Sequence, residues 1–142
     1  MDDETHLPDD LRLGDPRLDA EHGEFARLSQ RLLVATAEQA LAALDALEAH
    51  ALNHFTAEDA DLRRIGGANA TCHLDEHAAV LKSLGEVREV LKRPQPPVDL
   101  HRRLALQLMD WLPEHVQAMD AGLAVVRTQE RLGGAPVRIK AR

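Results

Sequence analysis

Apolar residues recur along this chain at helical spacing, and no stretch alternates convincingly in the manner of a strand. Leu18, Phe25, Leu28, Leu32 and Leu33 form the first stripe. Asp15 followed by Pro16 supplies an N-cap residue and a proline at the first helical position, so a helix is expected from there to about Ala35. Thr36 with Gln39 has the form of a capping box and opens a second helix, which Gly66-Gly67 ends. Its inner face carries Leu44, Leu47, Ala51, Phe55 and Leu62. A third helix is expected from near Thr71 to a point before Pro94, because Pro94, Pro96 and Pro97 cannot continue it. The fourth begins around Val98-Asp99, carries Leu104, Leu108, Trp111 and Leu112, passes Asp120 and frays by Gly133-Gly134. Four helices with short connections pack as antiparallel neighbours. The predicted fold is therefore all-α: an up-down-up-down four-helix bundle over residues 16–122, with an N-terminal arm (1–15) and a short C-terminal extension (123–142), its last residues expected to be flexible. No internal repeat or low-complexity segment interrupts it.

Composition supports that choice and narrows the setting. At 142 residues the chain makes one domain with a core of its own. Apolar residues are 44% of it and aromatics only 2%, with no tyrosine, so leucine and alanine must build the core, as helices prefer. A single cysteine, Cys72, excludes an internal disulfide framework and fits a reducing compartment. No run of 18 apolar residues exists, and the start Met1-Asp2-Asp3-Glu4 is acidic where a signal peptide needs positive charge. A soluble, cytoplasmic protein with no membrane partner is expected. The net charge of −7 gives nucleic acid no footprint over most of the chain. Six acids in residues 1–15 and the basic residues Arg127, Arg131, Arg138, Lys140 and Arg142 near the other end read as two solvated tails.

The chemistry lies in eight histidines. His54 and Glu58 stand four residues apart on the second helix, so both project from one face. His73 and His77 repeat the spacing on the third. His115 precedes Asp120 by five residues on the fourth, and His22 sits on the first. A single such pair arises easily by chance, and a lone histidine is usually a satisfied core or surface residue. The conjunction is harder to dismiss: each helix sends at least one metal-binding side chain inward, within an apolar stripe. Burying five imidazoles and two carboxylates without a partner would be very costly, and metal coordination removes that cost. The pairs are spaced by four and rich in imidazole, unlike the Glu-x-x-His pairs of ferritin-like di-iron proteins. Neutral nitrogen donors suit divalent iron, but also zinc, copper and nickel, so the residues alone do not name the metal.

The order and spacing resemble the hemerythrin family, specifically its bacterial single-domain members. The resemblance is carried by Leu18-Asp19-Ala20-Glu21-His22, His54-Phe55-Thr56-Ala57-Glu58-Asp59, His73-Leu74-Asp75-Glu76-His77 and Trp111-Leu112-Pro113-Glu114-His115 with Asp120. It runs from about Gly14 to Asp120. What it implies is a centre of two Fe ions bridged by an oxo or hydroxo group and by the carboxylates Glu58 and Asp120. One iron would have His73, His77 and His115; the other would have His22 and His54 and keep a position for dioxygen or a small anion. Reversible dioxygen binding for storage, delivery or sensing follows from the resemblance. Peroxidase- or ferroxidase-like turnover at the same centre is the alternative, and an unidentified redox or delivery partner has room in either reading. No output domain or redox-partner motif is visible, which favours a binding protein over an enzyme.

The chain also departs from the family pattern. His50 stands where many members carry an aromatic residue, one turn before His54; it is read as lining the ligand channel, bonding a bound oxygen, or simply as an edge residue. Only Phe25, Phe55 and Trp111 can supply aromatic lining. Pro113 is expected to kink the fourth helix and help His115 and Asp120 converge. His101, fourteen residues before His115, lies too far along the helix to share the site, His6 falls in the arm, and Cys72 points away from the neighbouring His73.

Overall fold

The computed structural model describes residues 11–132, and among these every regular element is helical. The elements are α1 (Pro16–Val34), α2 (Ala37–Ile65), α3 (Ala68–Leu91), α4 (Leu100–His115), a π-helical turn (Val116–Asp120) and α5 (Ala121–Arg131). The last three run on without a break, so the architecture is four long helices, as expected from the apolar periodicity. The ends of the arm and of the extension, including His6, Gly133 and Gly134, lie outside the described residues.

Local chemistry sets the boundaries. Asp15 accepts hydrogen bonds from the backbone N–H groups of Arg17 and Leu18 at 3.0 and 3.2 Å, and Pro16 opens α1 without a wasted donor. Asp19 folds the preceding segment back by accepting from Leu13 N–H at 2.7 Å, and Leu11 is seated in the core. The capping box forms: Gln39 N–H donates to Thr36 Oγ1 at 3.3 Å and Thr36 N–H to Gln39 Oε1 at 3.0 Å. Gly66 and Gly67, at φ of +72° and +97°, turn the chain within two residues. That turn lets α3 open at Ala68 rather than near Thr71, and the Thr71 hydroxyl instead donates back to the Gly67 carbonyl.

The core divides along the bundle axis. Leu28, Leu32, Leu44, Leu47, Leu84 and Leu108 fill one end as part of a large cluster. A smaller cluster of Leu62, Ala70 and Leu123 closes the other. Between them, on all four helices, lies a layer of buried histidines and carboxylates. The apolar clusters fix the helix register, and truncating one of their leucines to alanine typically costs about 2–5 kcal/mol. The polar layer is thus held at a set height by packing on both sides.

Candidate metal centre

All seven residues singled out from the sequence meet in that layer. His22 comes from α1, His54 and Glu58 from α2, His73 and His77 from α3, His115 from α4, and Asp120 from the π turn; none is more than 4% exposed. Their donor atoms fall into two sets, each with every atom within 4.8 Å of the others. One set is Glu58, His73, His77, His115 and Asp120; the other is His22, His54, Glu58 and Asp120.

The two carboxylates belong to both sets, and each turns one oxygen to each side. Glu58 Oε1 faces His77 Nε2 at 3.2 Å and His73 Nε2 at 3.5 Å, while Oε2 faces His54 Nε2 at 3.1 Å. Asp120 Oδ1 faces His73 Nε2 at 2.8 Å and His115 Nε2 at 3.2 Å, while Oδ2 meets His22 Nε2 at 2.8 Å. The π turn brings His115 and Asp120 together. In an α-helix five residues sweep about 500°, leaving the pair roughly 140° apart, whereas a π turn is closed by an i→i+5 bond and returns the fifth residue to the same face. Ala121 N–H indeed reaches the Val116 carbonyl. The winding therefore changes after His115, not at Pro113, around which α4 stays helical.

The remaining ring nitrogens show why these histidines are ordered. His54 Nδ1–H donates to Glu21 Oε1 at 2.6 Å, His77 Nδ1–H to Asp59 Oδ1 at 2.7 Å, and His115 Nδ1–H to Glu76 Oε1 at 2.7 Å. Each carboxylate fixes a tautomer that leaves Nε2 free to face inward, the arrangement that supports ligating imidazoles. Glu21, Asp59 and Glu76 were not singled out from the sequence. Their signal was the acid beside each inward residue, but each serves a histidine on another helix. Phe55 stacks on His77 with centroids 4.0 Å apart, and Trp111 on His115 at 4.3 Å. Phe25 lies 6.0 Å from Trp111, so the three aromatics gather beside the centre.

Electrostatics follow from this crowding. Burial would raise the Glu58 carboxyl, but the His73 and His77 rings outweigh it and hold it at about 2. Burial likewise opposes ionisation of Asp120, yet His115, His22 and His73 keep it well below the usual carboxylate range. His73 is lowered by burial and raised more strongly by Asp120 and Glu58, to about 9. His54 is also raised, since Glu21 and Glu58 overcome its burial. Glu58 Oε1 and Oε2, Asp120 Oδ1 and His73 Nε2 are buried without a well-formed hydrogen bond. Orphaned polar atoms of this kind are expensive, and cations taking their lone pairs would satisfy them. Nitrogen and oxygen donors in these numbers fit first-row transition metals.

Two other described histidines, His101 and His50, stand apart. His101 Nε2–H donates to the Ala35 carbonyl at 2.9 Å, tying α4 to the end of α1. His50 is half-buried, and its Nε2–H donates to the main-chain carbonyl of Glu21 at 3.0 Å rather than to anything inside the centre. Burial pushes its pKa below the ordinary histidine value. Cys72 is exposed. A cavity of about 330 Å³ opens between the end of α2, the start of α3 and α5; Leu62, Ile65, Ala70, Leu123 and Val126 line it, and His73 is reached from it. No helix among the described residues is long and apolar enough to cross a membrane.

Comparison with known proteins agrees with this geometry. Residues 13–125 match the family described as the Hemerythrin HHE cation binding domain. A bacteriohemerythrin of Ralstonia nicotianae is 36% identical over 110 residues, covering 78% of this chain and 79% of the relative. Neither description names an enzyme. No solved structure gives a match. With a match that spans most of the chain and a buried His/Glu/Asp cluster able to hold metal, the protein belongs to the hemerythrin family.

Proposed function

We propose that this chain holds two iron ions and binds dioxygen reversibly, for storage, delivery or sensing in the cytoplasm. The observation that carries the reading is the division of donors. Glu58 and Asp120 each offer one oxygen to a set of three imidazoles and the other to a set of two, which is what a pair of ions sharing two bridging carboxylates requires. His73, His77 and His115 would complete one ion, and His22 and His54 would leave the other a donor short, with a place for dioxygen or a small anion. Iron held by these residues would supply the reversible redox chemistry that lets dioxygen act as a ligand. The chain's own residues do the rest: Glu21, Asp59 and Glu76 hold three rings in their ligating tautomer, and the leucine clusters exclude bulk water.

Metal analysis of protein purified under reducing conditions is expected to give two iron atoms per chain. Reduced protein exposed to air and then degassed is expected to gain and lose a ligand-to-iron charge-transfer band. One metal per chain, or zinc in cells supplied with iron, overturns the di-iron reading. Irreversible bleaching with turnover of peroxide or ferrous iron would make the protein an enzyme instead.

A further inference from the structure

The five inward imidazoles are not equally supported. His54, His77 and His115 each have a carboxylate on Nδ1. His22 does not: its Nδ1 is buried without a partner. Beyond the 2.8 Å contact of its inward Nε2 with Asp120, the orientation of His22 depends on its backbone and on packing, and the peptide immediately before it is that of Glu21. The carbonyl of that peptide accepts a hydrogen bond from His50 Nε2–H at 3.0 Å, across the α1–α2 interface. A carbonyl has two lone pairs, so this bond adds to the helical one. The side chain of the same residue holds His54, through the 2.6 Å bond between Glu21 Oε1 and Nδ1–H. The His50 ring also lies parallel to that of His54, with centroids 5.9 Å apart and planes 8° from parallel.

We propose that His50 is the positioning residue of the two-histidine side of the centre. It grips the main chain of Glu21 while His54 grips its carboxylate, and so sets His22 and His54 against each other. The inference rests on the di-iron reading above. On the three-histidine side two rings instead carry their own carboxylates from neighbouring helices, and one of them is covered by Phe55. A ring without a donor, such as phenylalanine, would keep the stacking but release the peptide.

The test uses iron-loaded protein and follows iron release to excess bipyridine in two kinetic phases, alongside the ferric azide spectrum. The variants are His50→Phe, which removes the donor, and His50→Gln, whose amide N–H can reach the same carbonyl. The expected result is that His50→Phe still takes up two irons but releases one of them about tenfold faster, the lower end of what partners of ligating imidazoles are worth. Its azide band shifts, the slower phase stays unchanged, and His50→Gln restores much of both properties. General loosening of the bundle would speed both phases together and overturn the proposal. So would a His50→Phe protein with wild-type release and spectrum, or equal effects from Phe and Gln. Wild-type protein that never holds two irons would defeat the di-iron reading itself, an outcome distinguishable from failure of the His50 proposal.

Discussion

Asp59 and Glu76 stand on different helices, yet each does the same thing: it accepts a hydrogen bond from the Nδ1–H of a histidine on the helix beside it. A ligating imidazole held this way is pre-oriented and more basic, and loss of the partner is generally worth 10–100-fold in metal affinity. Asp59→Ala and Glu76→Ala are therefore expected to weaken metal binding by about that factor, read by competition with a chelator, with smaller losses for Asn and Gln because the amide oxygen still accepts. Unchanged affinity in both alanine variants would remove these carboxylates from the site. His101→Ala is expected to behave in the opposite way. It leaves the Ala35 carbonyl unpaired, a loss of about 1–3 kcal/mol in stability, while metal content stays unchanged. At this scale His54 with Glu58 and His73 with His77 were legible as inward because residue type and a period of four write both the chemistry and the face. His22 and the His115–Asp120 pair were read from their conjunction with those two. The carboxylates behind them were not legible, because Glu21, Asp59 and Glu76 reach across helix interfaces that exist only once the register of the bundle is set.

At the scale of the element, the capping residues and glycines marked most boundaries correctly, since caps are local chemistry: Asp15, the Thr36–Gln39 box and Gly66 all act within a turn of themselves. The π turn is different. An α-helix and a helix with one extra residue in one turn share composition, and nothing in Val116–Asp120 announces the change except the spacing of five that it accommodates. Pro113 lies in the same region, but the change of winding that joins His115 to Asp120 comes after it, within Val116–Asp120. Because a five-residue π turn and a four-residue α turn both return to nearly the same face, the extra residue is removable. Deleting Ala118, which is exposed, is expected to give a continuous α-helix in which the aspartate follows His115 by four residues and α5 keeps its packing. The variant should still bind two metals per chain. A folded deletion variant that has lost its metal would show that the π turn sets the aspartate at a height no α turn reproduces.

For the whole molecule, the centre joins all four helices and so couples metal occupancy to global stability. Ligand binding to the folded state alone adds about 4 kcal/mol when the free ligand stands at a thousand times its dissociation constant, and metal-linked folding reaches that scale readily. Loaded protein is accordingly expected to melt at a higher temperature than metal-free protein, and the size of the gap depends on pH with a definite sign. In the metal-free chain His73 is raised to about 9 from an ordinary 6.5, so its proton stabilises the fold fully below about 6.5, and that contribution is lost as pH rises through 9. A metal ion must displace the same proton, because only neutral imidazole ligates. Raising the pH from 6 to 9 thus weakens the metal-free form and strengthens metal binding at once, and the gap in melting temperature widens. Glu58 does not blur this window: held at about 2, its stabilising contribution is complete above 4.5 and fails only as pH falls toward 2. Calorimetry at pH 6, 7.5 and 9 on protein loaded before dialysis, so that hydrolysis of free iron does not intervene, measures the gap directly. A gap that stays flat or narrows with rising pH would mean that His73 keeps its proton in the loaded protein and lies outside the coordination sphere.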